Sequence, residues 1–470
     1  MNKPEINVRL KGLSFCNIKN ISNATINFPI EKNIDKNGRN NIFGIYGPNG
    51  TGKTSLINCL AIFKKIICEI PLGASEYNLI DVNSKTAELS FSFDVKLSDG
   101  LYQLTYIIVL EKNLVFINGI EKKSIIIKSE KLKYKPSSSN ESDIKNLSTL
   151  IEIDSSTAIS KEMLKPTNHY TKLMSKPSFF DSVVRLSIGT RATRQTFIFK
   201  NEFLQILSKE ADFDRTKWIL MNQIKLFGMA NLFVIDQVNN NNISLNLGYR
   251  YIDNEKAYIS LGTININGIS RLSEEEFIHY EKSINEANQV MEKLIPGISI
   301  KALKLRDNLM PNGSKGVDFQ LVSYRKENGE KPIPLSSESN GIRSIFSVLS
   351  LVVAAYNNPS VCIAIDEFDA GVFEHLLGLI VKVYAESGKG LFIFTSHNLR
   401  PLEVLRPANI FFTTKEGNLF ANNMSIRKEL NKRNAYLRLM TISDMNGIYL
   451  TDSAKEHELR YALRRVTNNG

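Results

Sequence analysis

Hydrophobic and polar residues alternate over the first part of the chain, in the pattern that is typical of strands with one buried face. Two alternating runs within residues 7–30 predict a hairpin. An apolar run at residues 41–46 predicts a buried strand, and helical spacing of apolar positions follows over residues 55–70. Residues 86–134 alternate again between turn sequences, which predicts an antiparallel meander.

The rest of the chain has a different pattern. Residues 136–154 are polar and predict an exposed loop, whereas residues 160–235 have helical spacing. Residues 273–294 predict an amphipathic helix with Ser273 as its N-cap. Short strands and helices follow, with strands at 298–306, 317–324, 361–365, 391–395 and 409–413 and helices at 342–356 and 372–385. Strands that alternate with helices predict a parallel sheet flanked by helices, so the predicted fold class is α/β.

Composition limits the possible functions. The chain has 470 residues, of which 43% are hydrophobic, and this is enough for two or three domains with sizeable cores. A net charge of +11 favours anionic partners, including nucleotides and nucleic acid. Four cysteines without zinc-ligand spacing predict buried thiols and a cytoplasmic protein. Neither a signal peptide nor an apolar run of bilayer length is visible, so we expect no membrane association.

The first chemical motif is GPNGTGKT at residues 47–54, between a predicted strand and a predicted helix. This is the pattern of a phosphate loop, in which glycines let successive backbone N–H groups point at phosphate oxygens. The start of the following helix adds its positive end. We expect Lys53 to contact the β- and γ-phosphates and Thr54 to bind Mg²⁺. The other predicted nucleotide-binding residues in this loop are Asn49, Gly50, Thr51, Gly52 and Ser55.

A second motif, VCIAIDE at residues 361–367, is an apolar strand that ends in two carboxylates. We expect Asp366 to hold Mg²⁺ and Glu367 to act as the general base toward the attacking water. His397 follows the next predicted strand at the same edge of the sheet, within reach of a γ-phosphate. Glu367 and His397 are therefore the predicted catalytic residues.

A third motif lies before the helix at 342–356. Ser339 and Gly341 combine a hydroxyl, an unhindered backbone N–H and the start of a helix, which is a second arrangement suited to an anion. If it lies far from the phosphate loop of its own chain, it is available to the γ-phosphate held by a partner chain.

With these motifs in this order, the chain resembles ABC-type ATPases of the SMC and RecF kind. It also resembles the compact ATPases of prokaryotic anti-phage defence, such as PARIS, Septu, OLD-like and retron-linked systems. The resemblance rests on GPNGTGKTS, SESNGIRS, VCIAIDEFDAG and FTSH and covers about residues 7–135 and 316–421. It implies an ABC-ATPase head with a parallel core sheet, an N-terminal antiparallel β subdomain and an inserted, mainly helical region. It also implies that Asp369 lies in the D-loop, and Lys19 stands where relatives often have an arginine that reaches the nucleotide.

The resemblance implies four parts of the chain. They are a first ATPase lobe with the phosphate loop at 1–135, a mainly helical insertion at 136–315, a second lobe with the signature, acidic pair and switch histidine at 316–430, and a helical tail at 431–470. The implied cofactors are ATP and Mg²⁺, sandwiched between the heads of a homo-oligomer that is at least a dimer.

The favoured function is that of a sensor and scaffold in an anti-phage defence system that controls a separately encoded effector nuclease. The segment after His397 shows neither a Toprim nor an HNH pattern, so a nuclease is expected on another chain. The alternative is a DNA-binding repair or recombination ATPase, which the net charge favours. Two arginine clusters support it, Arg185/Arg191/Arg194 and Arg460/Arg464/Arg465. A nucleotide-gated module without hydrolysis is a third possibility, against which Glu367 argues, and a transporter subunit is a weaker fourth.

Overall fold

The computed structural model describes residues 7–28, 41–48, 50–117, 120–137, 147–235, 246–252, 259–265, 268–311, 313–326, 331–413, 418–419 and 433. Its strands are β1 Asn7–Ile18, β2 Ile21–Asn27, β3 Ile42–Tyr46, β4 Thr86–Leu97, β5 Gly100–Ile117, β6 Ile120–Pro136, β7 Ser148–Asp154, β8 Leu232–Ile235, β9 Asn246–Ile252, β10 Ile259–Asn265, β11 Ser270–Ser273, β12 Ile298–Leu309, β13 Lys315–Arg325, β14 Ile333–Pro334, β15 Cys362–Ile365, β16 Leu391–Thr395, β17 Ile410–Phe412 and β18 Asn418–Leu419. Its α-helices are α1 Lys53–Ile67, α2 Ala74–Tyr77, α3 Thr167–Met174, α4 Pro177–Thr193, α5 Asn201–Lys209, α6 Arg215–Leu226, α7 Glu274–Leu294, α8 Asn340–Asn357, α9 Glu374–Ser387 and α10 Leu399–Val404.

A parallel sheet in the order β17-β3-β16-β15-β8 carries the chemical motifs. Its strands are short and almost entirely apolar because both of its faces are covered. Ile45 belongs to the core on one face, and Ile42 belongs to the core on the other. Since all five strands run the same way, the loops that follow β3, β15 and β16 leave from one edge of the sheet.

A second sheet in the order β18-β2-β1-β4-β5-β6-β7 packs against helix α1 and is antiparallel except that β18 runs parallel to β2. Strand β4 alternates between buried and more exposed positions, as expected for a sheet with one covered face. The Phe63 ring of α1 lies 4.6 Å from the ring of Phe91 and 5.6 Å from that of Phe93, measured between centroids. The predicted hairpin and meander are therefore present, and α1 contributes to the core that both sheets share.

A smaller sheet, β11-β13-β12, packs against α7 and α8 in a third core. Ser273 caps α7, because its hydroxyl accepts a hydrogen bond from the Glu276 N–H at 3.3 Å, while the Glu276 carboxylate accepts one from the Ser273 N–H at 3.0 Å. The reciprocal bonds form a capping box. This confirms the helix and the N-cap that the sequence predicts.

Two strands depart from the predicted pattern. The sequence predicts a loop at 136–154, but Ser148–Asp154 extends the antiparallel sheet next to β6. It predicts helix up to residue 235, but Leu232–Ile235 forms the parallel edge strand β8 beside β15. The inserted region therefore adds strands to both main sheets as well as helices α3–α6. In the described part of the chain, no helix combines the length and the apolar character that crossing a bilayer requires.

The end of α1 is fixed by a cluster of polar contacts around Glu69. The Glu69 carboxylate pairs with Lys225 at 2.7 Å and with Lys200 at 3.1 Å. The side-chain amide of Gln195 donates a hydrogen bond to the backbone carbonyl of Glu69. Burial acts to raise the pKa of Glu69, but hydrogen bonds from these cations hold it below its ordinary value. The helix that begins with Lys53 is thus held firmly at its other end.

Candidate functional site

The loop between β3 and α1 has the conformation that its glycines permit. Gly50 has φ 78° and Gly52 has φ 98°, both in the left-handed region where a side chain would be strained. The ammonium group of Lys53 turns back into this loop. It donates hydrogen bonds to the carbonyl oxygens of Gly47 at 2.7 Å and Pro48 at 2.9 Å. A positive charge is therefore held inside the loop at the start of a helix.

Neighbouring segments hold the loop in place. The Thr51 hydroxyl donates to the Pro48 carbonyl at 2.7 Å and contacts the hydroxyl of Thr413, which follows β17. An added Cβ on Gly47 would lie 2.0 Å from the Thr413 hydroxyl, so this close approach requires glycine. From the other side, the Asn20 amide in the β1–β2 turn donates to the carbonyl of Gly50 at 2.7 Å.

The environment of Lys53 favours an anion. The residue is 8% exposed, and burial lowers the pKa of its ammonium group. The negative charges of Asp366, Glu367 and Asp369 oppose that shift, although Lys53 forms no ion pair with a described carboxylate. A buried cation whose hydrogen bonds go only to carbonyl groups gains by exchanging them for charged phosphate oxygens.

The acidic pair follows β15, which is separated from β3 by the single strand β16. Asp366 is 1% exposed, and its carboxylate accepts a hydrogen bond from the Thr395 hydroxyl at 2.5 Å. That hydroxyl in turn accepts the backbone N–H of Glu367 at 2.8 Å. Burial raises the pKa of Asp366, and hydrogen bonds from Thr395 and Thr54 oppose the rise. A single threonine at the end of β16 therefore orients both acidic residues.

Glu367 has φ 52°, a left-handed conformation that costs a residue with a Cβ about 1–2 kcal/mol. Backbone strain of this kind is concentrated at functional sites, where the surrounding structure imposes it. Here the Thr395 bond to the Glu367 N–H and the bond from the Phe368 N–H to the Thr395 carbonyl, 3.0 Å long, impose the turn.

The loop continues to Asp369, which ties it to the end of the neighbouring strand. One carboxylate oxygen of Asp369 accepts the backbone N–H groups of His397 at 3.1 Å and Asn398 at 3.0 Å. The His397 side chain is exposed. Asp369 therefore fixes the backbone position from which His397 faces the cavity described next.

These groups surround one cavity of about 220 Å³. Its lining residues are Lys19, Asn20, Gly50, Gly52, Lys53, Thr54, Ser55, Asp366, Glu367, Thr395 and His397. The cavity thus combines a buried ammonium group, a helix N-terminus, hydroxyl groups and two carboxylates. Of the other predicted loop residues, Thr51 lies behind the cavity wall in the contact with Thr413, and Asn49 lies outside the described residues.

The residues present fit a magnesium ion that is shared with a phosphate. Asp366 and Thr54 are in hydrogen-bond contact and offer the oxygen atoms that Mg²⁺ prefers. Within the described residues no group of three or more His, Cys, Asp or Glu side chains could hold a metal ion. Two protein ligands are enough for Mg²⁺, which usually keeps water and phosphate oxygens as its remaining ligands.

The segment at residues 339–341, here called the signature segment, lies at the start of α8. The Ser339 hydroxyl is the N-cap and accepts the Ile342 N–H at 3.4 Å. An added Cβ on Gly341 would lie 2.5 Å from the Gly371 carbonyl, so the segment packs directly on the end of the loop that began with Asp366. Neither Ser339 nor Gly341 lines the 220 Å³ cavity of its own chain.

Glu338 anchors the signature segment, and the sequence analysis missed it. Its carboxylate is buried and accepts hydrogen bonds from the Ser323 hydroxyl at 2.6 Å and from Arg325. Burial acts to raise the pKa of Glu338, but the bonds from Arg325 and Ser323 hold it below its ordinary value. The contacts of Thr395, Asn20 and Thr413 were missed as well, because their partners are distant in sequence and local patterns, including FTSH, do not show them.

A phosphate loop, an acidic pair on a nearby strand and a polar cavity between them, all at the carboxyl edge of a parallel sheet, define the class of P-loop nucleotide-binding proteins. The chain belongs to the family described as "AAA domain, putative AbiEii toxin, Type IV TA system", whose model matches residues 42–403. Among curated proteins, none matches the sequence significantly.

Solved structures that are similar to this chain include SMC head domains and RecF. The Smc head domain with an extended coiled coil, bound to the C-terminal domain of ScpA and derived from Pyrococcus furiosus, is 13% identical with a TM-score of 0.41, over 93% of this chain and 99% of that chain. The SMC head domain from Thermotoga maritima is 13% identical with a TM-score of 0.37, over 88% and 99%. The recombination mediator RecF with ATP is 11% identical with a TM-score of 0.38, over 89% and 99%. Likeness at this level carries no argument about function.

Proposed function

We propose that the chain binds Mg·ATP between two copies of itself and hydrolyses it, and that this cycle makes it the sensor and scaffold of an anti-phage defence system with a separately encoded effector nuclease. The observation that carries the ATPase proposal is the convergence of Lys53, Asp366 and Glu367 on one 220 Å³ cavity. The family description, which names a putative toxin, supports a role in conflict between genetic elements.

In this proposal Lys53 exchanges its carbonyl partners for the β- and γ-phosphates. Asp366 and Thr54 hold Mg²⁺, which neutralises charge that develops on the phosphate oxygens. Glu367 orients the attacking water and accepts its proton, and its strained backbone keeps the carboxylate fixed for that task. His397 contacts the γ-phosphate from the exposed side of the cavity.

The signature segment completes the site in trans. Because Ser339 and Gly341 do not line their own cavity, their hydroxyl, N–H groups and helix start are available to the γ-phosphate on a partner chain. Contacts to the γ-phosphate from both chains hold the pair together, and hydrolysis removes them. Turnover therefore shifts the population from paired to separate heads.

The ATPase part is tested with Glu367→Gln. This variant keeps the size of the side chain and removes the base, so steady-state phosphate release should fall about 100-fold or more while ATP is still bound. Glu374→Gln is the matched control, because Glu374 is an exposed acid in the first turn of α9, beyond the loop that forms the site. Unchanged turnover in Glu367→Gln shows that another group is the base.

The defence part is tested by purification from the native operon. The Glu367→Gln chain, held in its ATP-bound form, should elute as an oligomer together with a nuclease that neighbouring genes encode, and the Lys53→Ala chain should not. Elution as an ATP-dependent oligomer without a nuclease contradicts the scaffold role and leaves the ATPase assignment untouched. Elution as a lone monomer with ATP, with ADP and without nucleotide contradicts both the scaffold role and ATP binding between two copies.

The alternative, a repair or recombination ATPase that binds DNA on its own surface, draws on the net charge of +11. Direct phosphate contacts would make duplex affinity fall steeply and linearly in a double-logarithmic plot against salt. Of the two arginine clusters that favoured it, Arg460/Arg464/Arg465 lies outside the described residues, and Arg185/Arg191/Arg194 is divided in the structure. Arg185 is exposed on α4, whereas Arg191 and Arg194 line a cavity. A flat salt response rejects this alternative.

A further inference from the structure

A second cavity, of about 180 Å³, lies between the antiparallel sheet and the last turns of α4. Strands β6 and β7 form one wall, and the other wall consists of α4 and the segment that follows it. None of its lining residues lines the 220 Å³ cavity around Lys53, here called the nucleotide cavity. Its floor is apolar, with Ile127, Ile153 and Phe197, whereas its rim is basic.

Three cations form the rim, and they have few carboxylate partners. Among the described residues, the guanidinium group of Arg194 has neither a hydrogen bond nor an ion pair. Within the same part of the chain, the Arg191 side chain donates only to the Thr157 carbonyl, at 2.9 Å. Lys128 lies at a register shift of β6 and is 3.5 Å from the carboxylate of Glu111, which Lys85 approaches more closely at 2.6 Å. The rim therefore keeps unneutralised positive charge.

The one carboxylate in the cavity wall is already engaged. Glu130 is 2% exposed and accepts hydrogen bonds from the Thr196 hydroxyl at 2.5 Å, from the Phe197 N–H at 2.6 Å and from the hydroxyl of Tyr106. Both of its oxygens are used inside the protein, and it forms no ion pair with Arg191 or Arg194. It does not neutralise the rim.

A buried hydroxyl group in the cavity wall also lacks a hydrogen-bond partner among the described residues. Ser187 is 1% exposed, lines the cavity, and its Oγ has no hydrogen-bond partner among the described residues. Burying a polar group without a partner is unfavourable, so such groups are rare and call for a reason. A ligand atom in the cavity supplies the missing partner.

We propose that this cavity is a binding site for a small anionic molecule, one with a phosphate or carboxylate group on an apolar body. Guanidinium groups bind both anions through paired hydrogen bonds, and Arg191 and Arg194 stand on the same side of the cavity. The apolar floor takes the body of the ligand, and Ser187 adds a hydrogen bond at its edge. Apolar walls with a few converging polar groups are the usual composition of small-molecule sites.

The position of the arginines argues against a purely structural explanation. Cations near a helix C-terminus do stabilise it, and Arg191 lies in the last turn of α4. That effect would not require a cavity, an apolar floor or an unsatisfied buried serine. The two explanations predict different results for Arg194→Gln: weaker anion binding if the cavity is a site, and a lower melting temperature with unchanged binding if the arginine is structural.

The test measures binding of phenyl phosphate, benzoate and the uncharged benzyl alcohol to the full chain by calorimetry. Phenyl phosphate or benzoate should bind saturably and benzyl alcohol at least tenfold more weakly. Arg194→Gln should weaken the anion at least tenfold. Arg185→Gln, on the exposed side of the same helix, should leave binding unchanged. Any phenyl phosphate that binds at the phosphate loop adds the same heat signal in Arg194→Gln and Arg185→Gln, so it does not affect their comparison. Preference between the two anions identifies the acidic group.

Ser187→Ala gives an independent readout. It should weaken anion binding severalfold without lowering the melting temperature, because no hydrogen bond is lost within the protein. The proposal fails if neither anion saturates, or if Arg194→Gln and Arg185→Gln bind the anions equally. A lower melting temperature of Arg194→Gln with unchanged binding shows a structural arginine and also overturns it. These probes need no ATP, so the result is separate from the fate of the ATPase proposal.

Discussion

The nucleotide cavity, which surrounds Lys53, and the signature segment contact opposite ends of the same loop, but the signature segment does not line the cavity. The loop begins with Asp366 and Glu367 inside the cavity and reaches Gly371, against which Gly341 packs. The cavity has a buried cation and a base but lacks the signature segment. The signature segment has a capped helix start but does not line that cavity in its own chain. Under the proposed function, one chain therefore holds two halves of a composite site, and the loop from Asp366 to Gly371 connects them.

The largest expected effect comes from separating the two halves. Ser339→Arg and Lys53→Ala should each reduce ATP turnover about 100-fold or more, because each removes a group that stabilises the transferring phosphate. A mixture of the two variants should regain activity, since one of the two composite sites then has an intact Lys53 and an intact Ser339. Ser337→Arg, at an exposed position two residues earlier, is the control. A mixture as inactive as its components refutes completion in trans.

The next effect concerns the cavity alone. Lys53→Ala should weaken ATP binding about 100-fold, because two charge-assisted hydrogen bonds to phosphate are lost at about 1.5 kcal/mol each. Fluorescence titration with a labelled nucleotide measures the affinity. Lys65→Ala, on the same helix but paired with Glu76 at 2.6 Å, should change it little. Equal loss in both variants would mean that the effect comes from damage to α1.

The contact between the two halves is tested with Gly341→Ala. The added methyl would lie 2.5 Å from the Gly371 carbonyl and must displace the signature segment. In a Glu367→Gln background, ATP-dependent self-association should weaken about tenfold, in line with an overpacking cost of about 1–3 kcal/mol. ATP binding by the monomer should remain within twofold. Gly189→Ala meets no atom within 4 Å and serves as the control; sedimentation measures association in both.

The smallest expected effect is on stability. Glu367→Gly relieves a left-handed backbone conformation and should raise the free energy of unfolding by up to about 1 kcal/mol while it abolishes turnover. Glu374→Gly, in the first turn of α9, should lower it by a similar amount. Thermal unfolding without nucleotide compares the two. A lower free energy of unfolding in Glu367→Gly would show that the glutamate side chain stabilises the fold by more than its backbone conformation costs.

The sequence predicts well what depends on neighbours along the chain. The phosphate loop, the acidic pair after an apolar strand and the Ser273 cap are all determined by a few adjacent residues. Strand β8 was missed because four apolar residues after a helix look like its continuation, and only packing beside β15 decides the matter. The role of Thr395 was missed for the same reason, since its partners Asp366 and Glu367 follow another strand, β15.

Helix α1 leads from the first cavity toward the second. Lys53 begins α1 in the nucleotide cavity, and Glu69, just beyond its other end, accepts a hydrogen bond from Gln195 in the wall of the second cavity. Linkage between two ligands on one protein is reciprocal: whatever factor an occupant of the second cavity imposes on ATP affinity, ATP imposes on that occupant. Under the proposed function, an occupant of the second cavity that changes ATP affinity through Gln195 and α1 also changes the lifetime of the ATP-bound pair of chains.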